Sequence, residues 1–127
     1  MNGTYTIIPS PDAHDVKDVV YVPQDLEDAL TELAKLLPPE QILELQDLSE
    51  TEICQSSHFT LGAWMRSYWG LWSGSRLCAF FQSLGITHAD DMTQIILASF
   101  WRRLNKKPLR LSSLVEGRQI YWKNGMN

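Results

Sequence analysis

Residues 87–108, THADDMTQIILASFWRRLNKKP, form the clearest helix signature in the chain, and reading them as a helix sets the fold class. Asp90 and Asp91 stand in the first turn, an apolar run fills the middle, and Arg102, Arg103, Lys106 and Lys107 close the stretch. Acids at the start and cations at the end both complement the helix dipole. Met92, Ile95, Ile96, Ser99 and Phe100 recur at spacings of three and four, the stripe of a helix with one face in a core.

Working upstream, RLCAFFQSLG (76–85) predicts a shorter helix carrying Leu77, Phe80, Phe81 and Leu84, with Gly85 as its stop. HFTLGAWMRSYWGLW (58–72) is an aromatic helix. At about 100° per residue, Leu61, Trp64, Met65, Tyr68, Leu71 and Trp72 share one broad face. His58, Gly62 and Trp69 lie along its edge, and Arg66 further round. That projection sends Trp64 and Trp72 to the core and makes Trp69 the reachable tryptophan.

SETE (49–52) is a capping-box pattern, Ser49 answered by Glu52, and predicts a short helix. The prolines at 38 and 39 end one helix and open the next, PEQILELQDL. In 23–37, Leu26, Ala29, Leu30, Leu33 and Leu37 form an apolar stripe that begins near Gln24 or Asp25, with Glu27 and Asp28 in the first turn. Downstream, SSLVEGRQIYWKN predicts one more helix capped by Ser112 or Ser113. The runs TYTII and DVVYV are short and β-prone around the turn chemistry of PSPDAHD, so 1–22 is expected to be extended or a hairpin. The expected architecture is all-α: a compact bundle of about six short helices in a single domain, 23–127, behind that segment.

Bulk properties agree with an ordinary globular domain. The chain has 127 residues, 44% apolar and 20% charged, which suffices for one buried core. No run is long enough to cross a bilayer, and the first residues lack a basic region followed by an apolar core, so a cytoplasmic location is expected. Cys54 and Cys78 have no CxxC spacing and are expected as free thiols. The net charge of −4 conceals a division: residues 1–60 hold twelve acids against two bases, and 61–127 nine bases against three acids. Either the halves dock on one another, or the poles steer partners of opposite sign. Asp25, Glu27, Asp28 and Glu32 are the candidate partner-facing acids.

Two clusters carry the candidate chemistry. In WGLWSGSR (69–76), free N–H groups at a helix start and the Arg76 guanidinium suit an anion, with Trp69 and Trp72 as walls and Arg66 and His58 nearby. The competing reading is a packed helix–turn–helix corner, with Gly74 in the turn and Ser73 or Ser75 as a cap. In THADD, His88, Asp90 and Asp91 resemble hard-metal ligands or an acid/base pair, yet capping and the helix dipole already account for the acids. No ligand spacing supports a metal, and no cofactor is expected. Cys54 with His58 is the sole candidate nucleophile–base pair, and it has no third member. The basic stretch RRLNKKPLR has Trp101 as its only neighbouring aromatic in an acidic protein, which disfavours nucleic acid.

The stretch 56–105 resembles a family of small bacterial domains of unknown function. The resemblance rests on three elements: an HFxLGxWxRxxWGLW segment, a GSRL element and an HxDDMxxIIL segment. In this chain these cover His58, Phe59, Leu61, Gly62, Trp64, Arg66, Trp69, Gly70, Leu71, Trp72, Gly74, Ser75, Arg76, His88, Asp90, Asp91 and Met92. Thr60 stands in place of a glycine and Ala89 in place of a proline, a position that makes His88 the N-cap. The upstream leucine-rich helix and LLPPE extend the likeness to most of the chain after Pro23. The resemblance implies a helical fold and brings no activity with it. By size and acidic character the chain is similar to immunity partners of bacterial toxins. The leading expectation is therefore a non-enzymatic protein-binding module, an immunity-type inhibitor covering a cognate toxin's active site. The alternative is a small-ligand or anion-binding domain, possibly enzymatic, at 66–76.

Overall fold

The computed structural model describes residues 20–125; the hairpin expected within 1–22 lies, up to residue 19, outside them. Seven helices follow among the described residues: α1 Leu26–Leu36, α2 Pro39–Asp47, α3 Glu50–Ser56, α4 Leu61–Tyr68, α5 Arg76–Ser83, α6 Ala89–Leu104 and α7 Leu111–Gly125. The described part is all-helical, with one helix more than the approximate number expected.

Local chemistry sets most boundaries. The Asp25 carboxylate accepts the Asp28 N–H at 2.9 Å and starts α1. Pro39 opens α2. Ser49 and Glu52 form the reciprocal capping box of α3, a feature worth about 1 kcal/mol. α7 departs from expectation. It begins at Leu111, on the Arg110 carbonyl, so Ser112 and Ser113 fall inside its first turn instead of capping it.

α6 is the hub, and each of the other six helices packs against it. Ten of its sixteen residues are buried. They include Thr93, Leu97 and Ala98, which lie outside the single stripe read from the sequence. A helix surrounded on all sides needs apolar or satisfied residues all round. Each fully buried Leu or Ile here adds about 1.5–3 kcal/mol of transfer free energy.

Long-range polar ties fix the surrounding helices. The Trp101 indole donates to the Leu48 carbonyl at 2.6 Å. Arg102 holds the Glu50 carboxylate through two bonds, 2.7 and 2.9 Å. Arg103 reaches both oxygens of Glu27 at 2.9 Å. Here acids of the N-terminal half dock on bases of the C-terminal half.

Candidate functional site

The helix expected over 58–72 runs only from Leu61 to Tyr68. The Trp69 N–H still reaches the Met65 carbonyl at 2.9 Å, but Gly70 then turns the chain with φ +67°. A side chain at Gly70 would be strained by that φ, and its Cβ would stand 2.9 Å from the Cβ of Ser75. Ser75 locks the turn, donating to the Trp69 carbonyl at 2.7 Å and accepting the Cys78 N–H at 3.2 Å.

The expected order of the tryptophans is thereby reversed. Trp69 is fully buried, edge-on to Trp64 at 5.6 Å. Trp72 emerges with 68% of its surface exposed. Tyr68, also placed in the core by the projection, is exposed and stacks on Trp64. Within α4 the buried face is centred on Gly62 and Met65, which Trp69 continues, and Tyr68 falls at its outer edge. Past Gly70 the turn at 69–74 ends the period of about 100° and carries Trp72 outward.

The two arginines of this corner do not converge. Arg66 is buried and each of its nitrogens has a neighbour. Nη1 donates to Thr93 Oγ1 at 3.0 Å, Nη2 to the His58 carbonyl at 2.8 Å, and Nε lies 3.5 Å from Asp90 Oδ1. Gly62 leaves room for it: a Cβ there would sit 3.1 Å from Arg66 Nη1 and from the Ser57 carbonyl. His58 serves through its carbonyl, while its ring packs edge-on against exposed Phe59. Arg76 is turned elsewhere, donating from Nε to the Val22 carbonyl at 2.8 Å with its guanidinium over the Tyr21 ring. The stretch 69–76 is thus a helix–turn–helix corner that projects Trp72.

Trp72 meets the second cluster instead. A cleft of about 480 Å³ is lined by Leu71, Trp72 and Gly74 from the turn, Cys78 and Gln82 from α5, Thr87 to Asp90 at the start of α6, and Trp122 from α7. His88 is the N-cap of α6 without a side-chain capping bond. Its imidazole stacks on the Trp122 ring, 4.0 Å between centroids and 17° between planes. Asp90 keeps 56% of its side chain exposed. Aromatic faces beside a carboxylate suit a cationic group, through cation–π attraction and charge pairing.

Asp91, one residue on, points the other way. Its carboxylate is buried and accepts from Arg118 Nε at 2.7 Å and from the Trp122 indole, with Arg118 Nη2 in ion-pair contact at 2.6 Å. Trp122, Arg118, Cys78, Gln82 and Thr87 were not singled out from the sequence as site residues. α7 has a weak apolar stripe, and nothing in its spacing says which face turns toward α6.

The acids expected to face a partner are largely engaged within the chain. Asp25 caps α1, Glu27 holds Arg103, and Glu32 lies 3.3 Å from Lys35 Nζ. Asp28 accepts the Tyr21 hydroxyl at 2.5 Å and the Gln24 N–H at 3.0 Å. Those bonds, Tyr21 first, hold the Asp28 carboxyl below its usual value, and the carboxylate in turn holds the Tyr21 hydroxyl above its own. Both cysteines are free thiols. Burial pushes the Cys54 thiol up to about 11, leaving it protonated near neutrality and a poor nucleophile. Among the described residues no group of three or more His, Cys, Asp or Glu could hold a metal ion, and no helix is long and apolar enough to cross a membrane.

Residues 22–104 match the sequence profile of a domain of unknown function, DUF6794. The chain belongs to that family. The matched segment contains the hub helix, Trp72, His88, Asp90 and Asp91, and stops before α7, which covers Asp91. No curated protein and no solved structure matches the chain.

Proposed function

We propose that this protein is a non-enzymatic binding module for another protein, and that the cleft between Trp72 and Trp122 is its recognition site. The observation that carries the reading is Trp72, a large aromatic held 68% exposed by a rigid turn at the rim of that cleft. Exposed, pre-positioned tryptophan is the side chain most enriched among residues that dominate protein interfaces. Charge adds direction. Asp90 flanks the cleft, and the net charge is −4. A basic partner would be steered to such a surface. In its most concrete form the module is an immunity-type inhibitor that lays this aromatic surface, with Asp90 at its rim, over the cationic active-site groove of a toxin. An anion or small-ligand site built on Arg66 and Arg76 has less support, because both guanidiniums already donate to backbone carbonyls.

The test is capture from the native host with wild-type protein and Trp72→Ala as baits, together with inspection of the neighbouring coding region. A salt-sensitive protein partner is expected, held at least about tenfold more weakly by Trp72→Ala. A toxin whose activity is restored when Trp72→Ala replaces wild type would establish the inhibitor form. A partner bound equally by both baits, or no partner, overturns the assignment of this cleft.

A further inference from the structure

We propose that Asp91 is the floor of a guanidinium-binding site, occupied in this conformation by Arg118 of the chain's own α7 and open to an arginine presented by a protein partner. The inference rests on the protein-binding reading and names what the partner contributes.

The argument begins with the carboxylate. Asp91 is 2% exposed, yet among the described residues the side-chain donors it meets all come from α7: Arg118 Nε donates to Oδ1, with Nη2 in ion-pair contact with the same oxygen, and the Trp122 indole donates to Oδ2. A buried carboxylate needs such a partner, since leaving it unpaired costs several kcal/mol. The pairing is that of a guanidinium on a carboxylate, Nε donating and Nη2 in ion-pair contact with the same oxygen, with an aromatic ring against the cation. The Arg118 guanidinium lies 4.6 Å from the centroid of the Tyr121 ring.

The element that supplies this partner is the least embedded of the seven. None of the side chains described for 111–124 is buried, and Ile120, Tyr121 and Trp122 are at least 36% exposed. A cavity of about 190 Å³ already lies between α7 and the body, bounded by Gly85 to His88, Asp91, Arg118 and Trp122. It shares Thr87, His88 and Trp122 with the Trp72 cleft, so the two form neighbouring compartments divided by the His88–Trp122 stack. With α7 displaced, one groove would run from Trp72 past Asp90 to Asp91. An incoming arginine would meet the buried carboxylate and the freed face of His88. The family-matched segment, 22–104, contains this floor and not its present cover.

The test uses full-length protein and a defined probe, N-acetyl-arginine N-methylamide, with the citrulline counterpart as the neutral isostere. Arg118→Ala empties the site. That variant should bind the arginine compound saturably, at least tenfold more tightly than wild type, with a change in tryptophan fluorescence and a raised melting temperature. The citrulline compound should do neither. Adding Asp91→Asn to Arg118→Ala should remove the response. An equal response to citrulline, no response from folded Arg118→Ala, or a response that survives Asp91→Asn overturns the proposal. Should Arg118→Ala fail to fold, hydrogen exchange on wild type decides. The arginine compound, and not the citrulline one, must speed exchange in 111–125 while leaving α6 protected, and unchanged exchange overturns the proposal. Failure of the protein-binding reading shows separately, in the Trp72→Ala capture, and leaves the outcome of this titration unaffected.

Discussion

Two adjacent acids at the start of α6 each face an arginine, and the two pairs are built in opposite senses. In Arg66–Asp90 the arginine is inside, 7% exposed, and the acid is outside at 56%. In Arg118–Asp91 the acid is inside at 3% and the arginine half-outside at 31%. The first arginine also ties Thr93 and the His58 carbonyl, so it belongs to the frame of α4 and α6. The second is carried in by a surface helix onto a carboxylate whose other side-chain donor among the described residues, the Trp122 indole, comes from that same helix. Which partner is buried decides the role. A buried arginine with several acceptors staples the fold, whereas a buried acid reached from outside is a socket.

Variants that break this contrast should differ in reach as well as size. Trp69→Ala, beside the Arg66 frame, empties a fully buried indole site and should lower global stability by about 3–5 kcal/mol in denaturant unfolding. Arg66→Ala should cost about 2–4 kcal/mol, again globally, because the buried Thr93 hydroxyl and the His58 carbonyl both lose a charged donor. Arg118→Ala should cost less, about 1–2 kcal/mol, because the Trp122 indole still donates to Asp91 and water can replace the part-exposed arginine at the carboxylate. Its effect should concentrate in α7. Hydrogen exchange is expected to accelerate over 111–125 while α6 stays protected; equal acceleration in both helices would mean that α7 is as much a part of the frame as α4.

Smaller effects sharpen the same picture at the surface. The Asp28 carboxyl is held below its ordinary value by the Tyr21 hydroxyl and the Gln24 N–H. Its support for the segment before α1 is therefore complete above about pH 4. That support fades as pH falls through the lowered folded-state value, and exchange of the Gln24 amide should rise over that window in wild type and not in Asp28→Asn. The smallest stability effect is expected for Trp72→Ala, within about 0.5 kcal/mol of wild type. A large loss would show that Trp72 supports the fold, and would weaken its assignment as a recognition residue.

Much of the fold was readable from local chemistry. The Asp25 cap, Pro39 at the first turn, the Ser49–Glu52 box, Ser75 and the dipole-matched ends of α6 each act within about one helical turn of their own backbone. The aromatic corner was readable as a corner but not as to which tryptophan it exposes. The buried face was centred on Trp64 and Tyr68 where packing centres it on Met65 and Trp69, and helical periodicity was extended across Gly70, where the backbone no longer follows it. The site was less readable still. Trp72, His88 and Trp122 come from three separated segments, and no spacing in one segment reports on contact with another.

Sequence alone therefore determined that this chain is helical, where most of its helices begin, and that 87–108 holds its clearest helix, because caps, prolines and period depend on near neighbours along the chain. Tertiary structure decided that α6 is enclosed through most of its length, that Trp69 is sealed and Trp72 presented, and that Asp91 is buried beneath α7 while Asp90 is not. Those outcomes depend on which surfaces meet. A one-residue step along a helix turns a side chain by about 100°, so two neighbouring aspartates can face a frame and a socket.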